Sequence, residues 1–216
     1  MTGSGRRRRR EVALSGHAGE PDVALAALAD PDAEVRATAL GALARSGALT
    51  AAHLRRAAED PSPSVRRRAA EEAARCPPAV RSGVELVRLL GDDDPFVAEA
   101  AAFALGELDP PEPGAVDALA AMAGTSTDVL LRESAVAALG SLGDPGGRDA
   151  VLAATSDVAT VRRRAVLALA AFDGPEVEAA LERLAGDRDR QVRQWAEDLL
   201  RGWGNAEELD GPSETP

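Results

Sequence analysis

The chain has no lysine, no tyrosine, one cysteine (Cys76), two histidines and only five aromatic residues among its 216 positions. Each shortage excludes something. A single cysteine cannot form an internal disulfide framework and suits a reducing compartment, so a cytoplasmic location is expected. So few aromatics leave the core to Ala, Leu and Val. No apolar run approaches the roughly 20 residues of a membrane-spanning helix. No apolar segment of about 7–15 residues follows the basic N-terminus, so no secretory signal is read and no membrane partner is expected. His17 and His53 have no ligand or catalytic pattern around them, and no phosphate loop, zinc spacing or Ser-His-Asp order is present. An enzyme is therefore not expected, and neither is a metal or cofactor. With no lysine, arginine supplies all 25 basic charges against 36 acidic ones, a net charge of −11. A general nucleic-acid binder needs a basic stripe, so nucleic acid is not the expected partner.

What the chain has is alanine, 47 residues of it, and a unit stated six times. The stretch Asp60–Cys76, DPSPSVRRRAAEEAARC, shows the pattern. Its anchor is Val65, and the equivalents are Val35, Val97, Leu131, Val161 and Val192, spaced 30, 32, 34, 30 and 31 residues apart. A period in this range marks a stacked repeat protein. Arginine follows the anchor in five copies, as Arg36, Arg66, Arg132, Arg162 and Arg193; the third copy has Ala98. Four residues after the anchor stands Ala39, Ala69, Ala101, Ala135, Ala165 or Ala196. Eight residues after it stands Leu43, Ala73, Leu105, Leu139, Leu169 or Leu200. Offsets 0, 4, 7 and 8 lie on one face of a helix. Asp32, Ser62, Asp94, Asp128 and Asp189 sit where an N-cap belongs, and Pro63 and Pro95 occupy first helical positions. Copy five has Val158 at the cap position, with Asp157 one residue earlier.

A second helix precedes each of these. The candidates are Asp22–Ala29, Ala51–Glu59, Val80–Leu90, Gly114–Ala123, Arg148–Thr155 and Glu176–Ala185, with Thr50, Pro78, Pro113 and Pro175 as starts and Gly47, Gly143 and Gly174 as stops. Each copy is thus a helical hairpin, which buries its apolar stripe only by stacking on its neighbours. The pattern D-x-D-P-x-V-R-x-x-A-x-x-A-L, seen in DDDPFVAEAAAFAL and DPDAEVRATALGAL, resembles the HEAT repeat, and more narrowly the short bacterial type first named from phycobilisome lyases. The resemblance covers roughly residues 20–202. It implies that Asp30, Asp60, Asp92 and Asp187, five before their anchors, bond the arginines between neighbouring hairpins. Copies four and five have Ser126 and Ser156 there, so a weaker ladder is expected at both.

The expected fold is all-α: a right-handed α-solenoid (an α-α superhelix) of about six hairpins plus an N-terminal half repeat, as one domain over residues 6–203. Residues 1–5 are expected to be disordered, and residues 204–216 to form a disordered acidic tail. The half repeat rests on a gapless match of Arg8–Val23 to Arg162–Val177, which makes Arg6–Ser15 a second helix without its partner. The Asp109–Pro113 stretch reads as a stiff linker between copies three and four. Copy six carries Arg188, Arg190, Gln191, Gln194, Glu197, Asp198 and Arg201, a polar outer face suited to a capping repeat, with Trp195 and Trp203 over its edge. Asp92-Asp93-Asp94 reads as a capping loop rather than a metal site, and Cys76 as a small buried residue rather than a nucleophile.

Function is left to positions the repeat does not fix. Residues 2, 3 and 6 after each anchor face or border the surface lined by second helices, and they vary in charge and size. They include Arg67, Arg68, Glu99, Phe103, Glu133, Arg163, Arg164, Gln194 and Trp195. The reading is a non-enzymatic, monomeric scaffold that holds a protein segment on its concave face. The resemblance also implies an alternative, an accessory subunit or chaperone for prosthetic-group attachment, as in the lyase branch. A third reading takes Arg6–Arg10 as a basic arm for nucleic acid. HEAT-type hydroxylases carry repeated His-Glu pairs for iron, and HEAT-like DNA glycosylases a basic face with exposed aromatics; this chain has neither.

Overall fold

The computed structural model describes the backbone of residues 3–209 and the side chains of residues 4–202. Fourteen α-helices and two short 3-10 turns make up its regular structure, and no strand occurs among the described residues. The chain divides into two compact units, Met1–Glu112 and Pro113–Pro216. The division falls between copies three and four, where Ala98 replaces the repeat arginine and Ser126 the repeat aspartate, and where the anchor spacing is longest.

In the first unit, α1 (Gly3–Ala18) is the unpaired helix of the half repeat. Copy one is α2 (Pro21–Ala27) and α3 (Ala33–Arg45), and copy two is α4 (Ala51–Ala58) and α5 (Pro63–Arg75). Copy three is α6 (Pro78–Arg81), α7 (Leu86–Leu89) and α8 (Pro95–Gly106). The second helices stack side by side, α1 on α3, α3 on α5 and α5 on α8. In the second unit, copy four is α9 (Ala115–Thr125) and α10 (Val129–Leu142), copy five α11 (Arg148–Ala154) and α12 (Ala159–Ala168), and copy six α13 (Pro175–Leu184) and α14 (Arg190–Leu209). Here α10 packs on α12 and α12 on α14.

The repeat positions explain the packing. All six alanines at the fourth offset have no exposed surface. Helices therefore approach until backbone meets backbone. At Gly16 an added Cβ would lie 2.6 Å from the Cα of Ala42, and at Gly140 it would lie 2.6 Å from the Cβ of Ala168 and 2.8 Å from its Cα. The anchors Val35, Val65, Val97, Val161 and Val192 are buried. The caps hold at Asp32, Asp94, Asp128 and Asp189, whose carboxylates accept backbone N–H bonds from the first helical turn. Ser62 departs from this: its hydroxyl pairs with that of Ser64 instead. Pro63 at the first position has already removed one of the orphan donors there.

An arginine–aspartate ladder joins successive copies within each unit. Nε and Nη2 of Arg36 donate to Asp60 at 2.9 and 2.7 Å, and those of Arg66 to Asp92 at 2.7 Å each. Arg162 reaches Asp187 at 2.9 and 2.8 Å. One rung differs from expectation and one extends the ladder to the half repeat. Arg132 finds Asp157, one residue later than the repeat position held by Ser156, at 2.7 and 2.9 Å, so that rung is complete. Arg8 bonds Asp30 at 2.8 and 3.0 Å, the bond its match to Arg162 implies, so the half repeat joins the ladder.

Three further boundaries differ. The helix opening the chain begins at Gly3, not Arg6, because the Ser4 hydroxyl accepts a bond from Arg8 one turn on and Gly5 is buried. At the other end α14 continues to Leu209, past the expected stop at residue 203. Ala206, Glu207, Glu208 and Leu209 are good helix formers and carry it beyond Gly204; the rest of the expected tail lies outside the described residues. The single helix expected at Val80–Leu90 is two short ones, separated at Gly83, whose φ of +84° no helix accepts. The second, α7, is capped from a distance: the Glu112 carboxylate accepts from the N–H groups of Leu86 and Val87 at 3.1 and 3.2 Å.

Candidate partner-binding face

With anchors, small residues and rung arginines absorbed by folding, the second helices leave offsets −1, 2, 3 and 6 for other use. One step of 3.6 residues carries offset −1 to 2 or 3 and then to 6, so these form one stripe. In the first unit this stripe places Arg67, Arg68 and Glu71 on α5 and Phe96, Glu99 and Phe103 on α8. Arg67 and Arg68, together with Glu34, Glu71, Asp94 and Phe96, line a cleft of about 420 Å³.

The arginines of this cleft are held, not free. Arg67 Nε lies 3.0 Å from Glu71, and its guanidinium carbon sits 6.0 Å from the Phe96 ring centroid, a cation–π distance. Arg68 lies 3.2 Å from Glu71 and 3.4 Å from Glu72, a glutamate that is itself buried. On α8, Phe96 and Phe103 are 52% and 54% exposed. Two of the chain's three phenylalanines thus face outward, with the half-buried Glu99 between them on the same helix face.

In the second unit the stripe carries Glu133 on α10, Arg163, Arg164 and Leu167 on α12, and Gln194 and Trp195 on α14. Arg163 donates to Asp189 at 2.6 and 3.2 Å. That bond is the main reason the Asp189 carboxyl sits far below the usual carboxylate range; the N–H groups of Val192 and Gln191 add to it against a desolvation cost. Arg164 pairs with Glu133 at 3.2 Å. Gln194 is exposed and Trp195 half-buried. Arg163 therefore joins two repeats.

Sequence reasoning missed Phe96 and Leu167. Phe96 stands at offset −1, which the helical period assigns to the stripe once it is counted backwards from the anchor. Leu167 occupies the same offset as Phe103 and is exposed. Other candidates resolve into structural roles. Arg6–Arg10 lies within α1, where Arg8 holds Asp30 and Arg9 lies 3.5 Å from Glu34, so this run is a helix face and not a loose arm. His53 completes a capping box with Thr50, each accepting the other's backbone N–H at 3.3 Å. Burial, and then the nearby Glu72 charge, push the Cys76 thiol up, away from the thiolate form a nucleophile requires. No described helix is long and apolar enough to cross a membrane.

Comparisons with known proteins agree with this architecture. No curated protein matches the chain. A designed armadillo repeat protein in complex with a (KR)4 peptide aligns with a TM-score of 0.63 at 20% identity, covering 85% of this chain and 98% of that one. A second designed armadillo repeat protein gives 0.61 at 20% identity, covering 84% and 98%. An engineered protein gives 0.60 at 23% identity, covering 93% and 65%. A family profile for HEAT repeats matches residues 52–140, 84–159 and 125–201. Those three matches span most of both units, and the chain belongs to the HEAT repeat family.

Proposed function

We propose that this protein is a non-enzymatic scaffold that holds a segment of a partner protein against the stripe formed by α5 and α8. The observation that carries the reading is the outward pair Phe96 and Phe103. In a chain so poor in aromatics, two phenylalanines more than half exposed on one helix face are a cost in water, and binding offsets that cost. Aromatic side chains with arginine nearby are the residue types that dominate protein interfaces. The adjoining cleft supplies Arg67 and Arg68 in fixed geometry, so little side-chain freedom is lost when a ligand arrives. The similar designed armadillo protein holds a peptide, which fits a stacked-hairpin surface used in this way.

The test is recovery of partners from the native cell with tagged full-length protein. Phe96→Ala with Phe103→Ala is expected to abolish recovery while leaving the melting temperature unchanged, since neither ring is in the core. Arg163→Glu is a poor probe, because it breaks the bond to Asp189. Undiminished recovery with the double phenylalanine variant would remove this face from consideration.

A further inference from the structure

Among the described residues, the arginine of the sixth copy, Arg193, meets no carboxylate. Arg193 follows the sixth anchor as Arg36, Arg66, Arg132 and Arg162 follow theirs. In each of those four, Nη1 donates to a backbone carbonyl of the arginine's own hairpin loop, at 2.9, 2.9, 3.0 and 2.8 Å. That bond leaves Nε and Nη2 side by side, and an aspartate of the next hairpin accepts both. Arg193 is pinned in the same way, Nη1 to the carbonyl of Asp187 at 2.6 Å. Its Nε and Nη2 have no protein partner among the described residues. The guanidinium is oriented for a ligand that four sister sites in the same molecule show to be a carboxylate.

The surface around it is open as well. Leu43, Leu139 and Leu169, at the eighth offset, are fully buried, whereas Leu200 at the same offset is only half-buried, as is its neighbour Leu199. The polar residues expected on copy six are all exposed, so the cap is real on its outer face, yet it stops short of covering this edge. A second copy of the chain would not fill the site with its first helix. Counting five back from Arg7, the anchor of the half repeat, gives Thr2, which carries no charge.

We propose that Arg193, with Leu199 and Leu200, is a preformed docking point for a helical hairpin of another repeat protein, which supplies an aspartate from the loop between its two helices. The aspartate accepts from Nε and Nη2 of Arg193 in the fork geometry of the existing rungs, and the hairpin's apolar stripe covers the two leucines. This inference is independent of the α8 face.

The probe is a blocked peptide with the sequence of residues 88–101, RLLGDDDPFVAEAA, which carries a rung aspartate and a helix start. Full-length protein with labelled arginine is followed by NMR through its Nε–Hε signals, and the same peptide with a fluorophore by anisotropy. The expected result is a saturating shift of the Arg193 signal and binding about tenfold weaker for the Asp92→Asn peptide. Arg193→Lys, which keeps the charge and loses the fork, is expected to weaken binding comparably. Three outcomes overturn the proposal: equal shifts at the exposed Arg6, Arg7 and Arg10, equal affinity for the two peptides, or no response at Arg193. A change in the Arg193 signal on deleting residues 210–216, before any peptide is added, also overturns it, because the occupant would then be the chain's own acidic end.

Discussion

At the scale of single residues, the ladder makes each rung's cost depend on its depth. The Arg162 side chain is 6% exposed and its partner Asp187 12%, whereas Arg8 at the start of the ladder is 40% exposed. Removing the buried Arg162 guanidinium leaves its packed site and the poorly hydrated Asp187 without a partner, while the more exposed Arg8 is replaced by water at less cost. Arg162→Ala is therefore expected to lower stability by about 2 kcal/mol, and Arg8→Ala by clearly less, as read from urea midpoints. Equal losses would mean that depth does not set the contribution of a rung. Much of this was legible beforehand, because the resemblance to the HEAT repeat implied that Asp60 and Asp92 bond the arginines of neighbouring hairpins. Asp157 was not, since the aspartate had moved one residue along the loop and only the folded loop shows that the carboxylate still reaches Arg132. Phe96 was overlooked for a different reason: it precedes the anchor, and its place on the stripe follows from counting backwards.

At the scale of elements, close approach governs which substitutions are tolerated. Glycine in a helix interior ordinarily gains by becoming alanine, by up to about 1 kcal/mol. Gly124 on α9 has open space where a Cβ would go, so Gly124→Ala is expected to raise the melting temperature. Gly140 on α10 meets the backbone of Ala168 on α12, so Gly140→Ala must push these helices away from each other and is expected to cost about 1–3 kcal/mol. Opposite signs in thermal melts check the pair; a stabilising Gly140→Ala would show that α10 and α12 are not in contact. The split of copy three's first helix was not readable from periodicity, because α7 depends on a carboxylate 25 residues further on. Glu112→Ala is expected to leave the N–H groups of Leu86 and Val87 without their acceptor and to speed their hydrogen exchange about fivefold, equivalent to roughly 1 kcal/mol. Unchanged exchange at both amides would argue that water replaces the carboxylate without loss.

At the scale of the whole chain, the lack of lysine and tyrosine and the wealth of arginine–aspartate pairs shape the response to pH. Bonds from their arginines hold Asp30, Asp92, Asp157, Asp187 and Asp189 below the ordinary carboxylate range. Asp60 is pushed up by burial but pulled down further by Arg36 and the Ser62 N–H. A carboxylate whose folded pKa is lowered stabilises the fold fully above its unfolded value, near 3.9, and loses that contribution as pH falls through the folded one. Stability is thus expected to be level from about pH 5 to 8 and to fall steeply below about pH 4. On the alkaline side, no lysine or tyrosine exists to titrate near pH 10. The bonds to their aspartates raise the arginines of the ladder further still. Melting temperatures across this range check the asymmetry, and a loss near pH 10 matching the acid loss would contradict it.

Every rung takes its arginine from one hairpin or half repeat and its aspartate from the next, so copies one, two and five each carry half of two different bonds. A segment of about thirty residues copied in tandem would arrive with an aspartate for the arginine before it and an arginine for the aspartate after it. Lengthening such an array requires no compensating mutation, and neither does shortening it by one whole period. The same rule explains where this chain resists editing. A cut or insertion at Ala98 and Ser126 breaks no rung, whereas the same change one repeat earlier or later leaves a half-bond on each side.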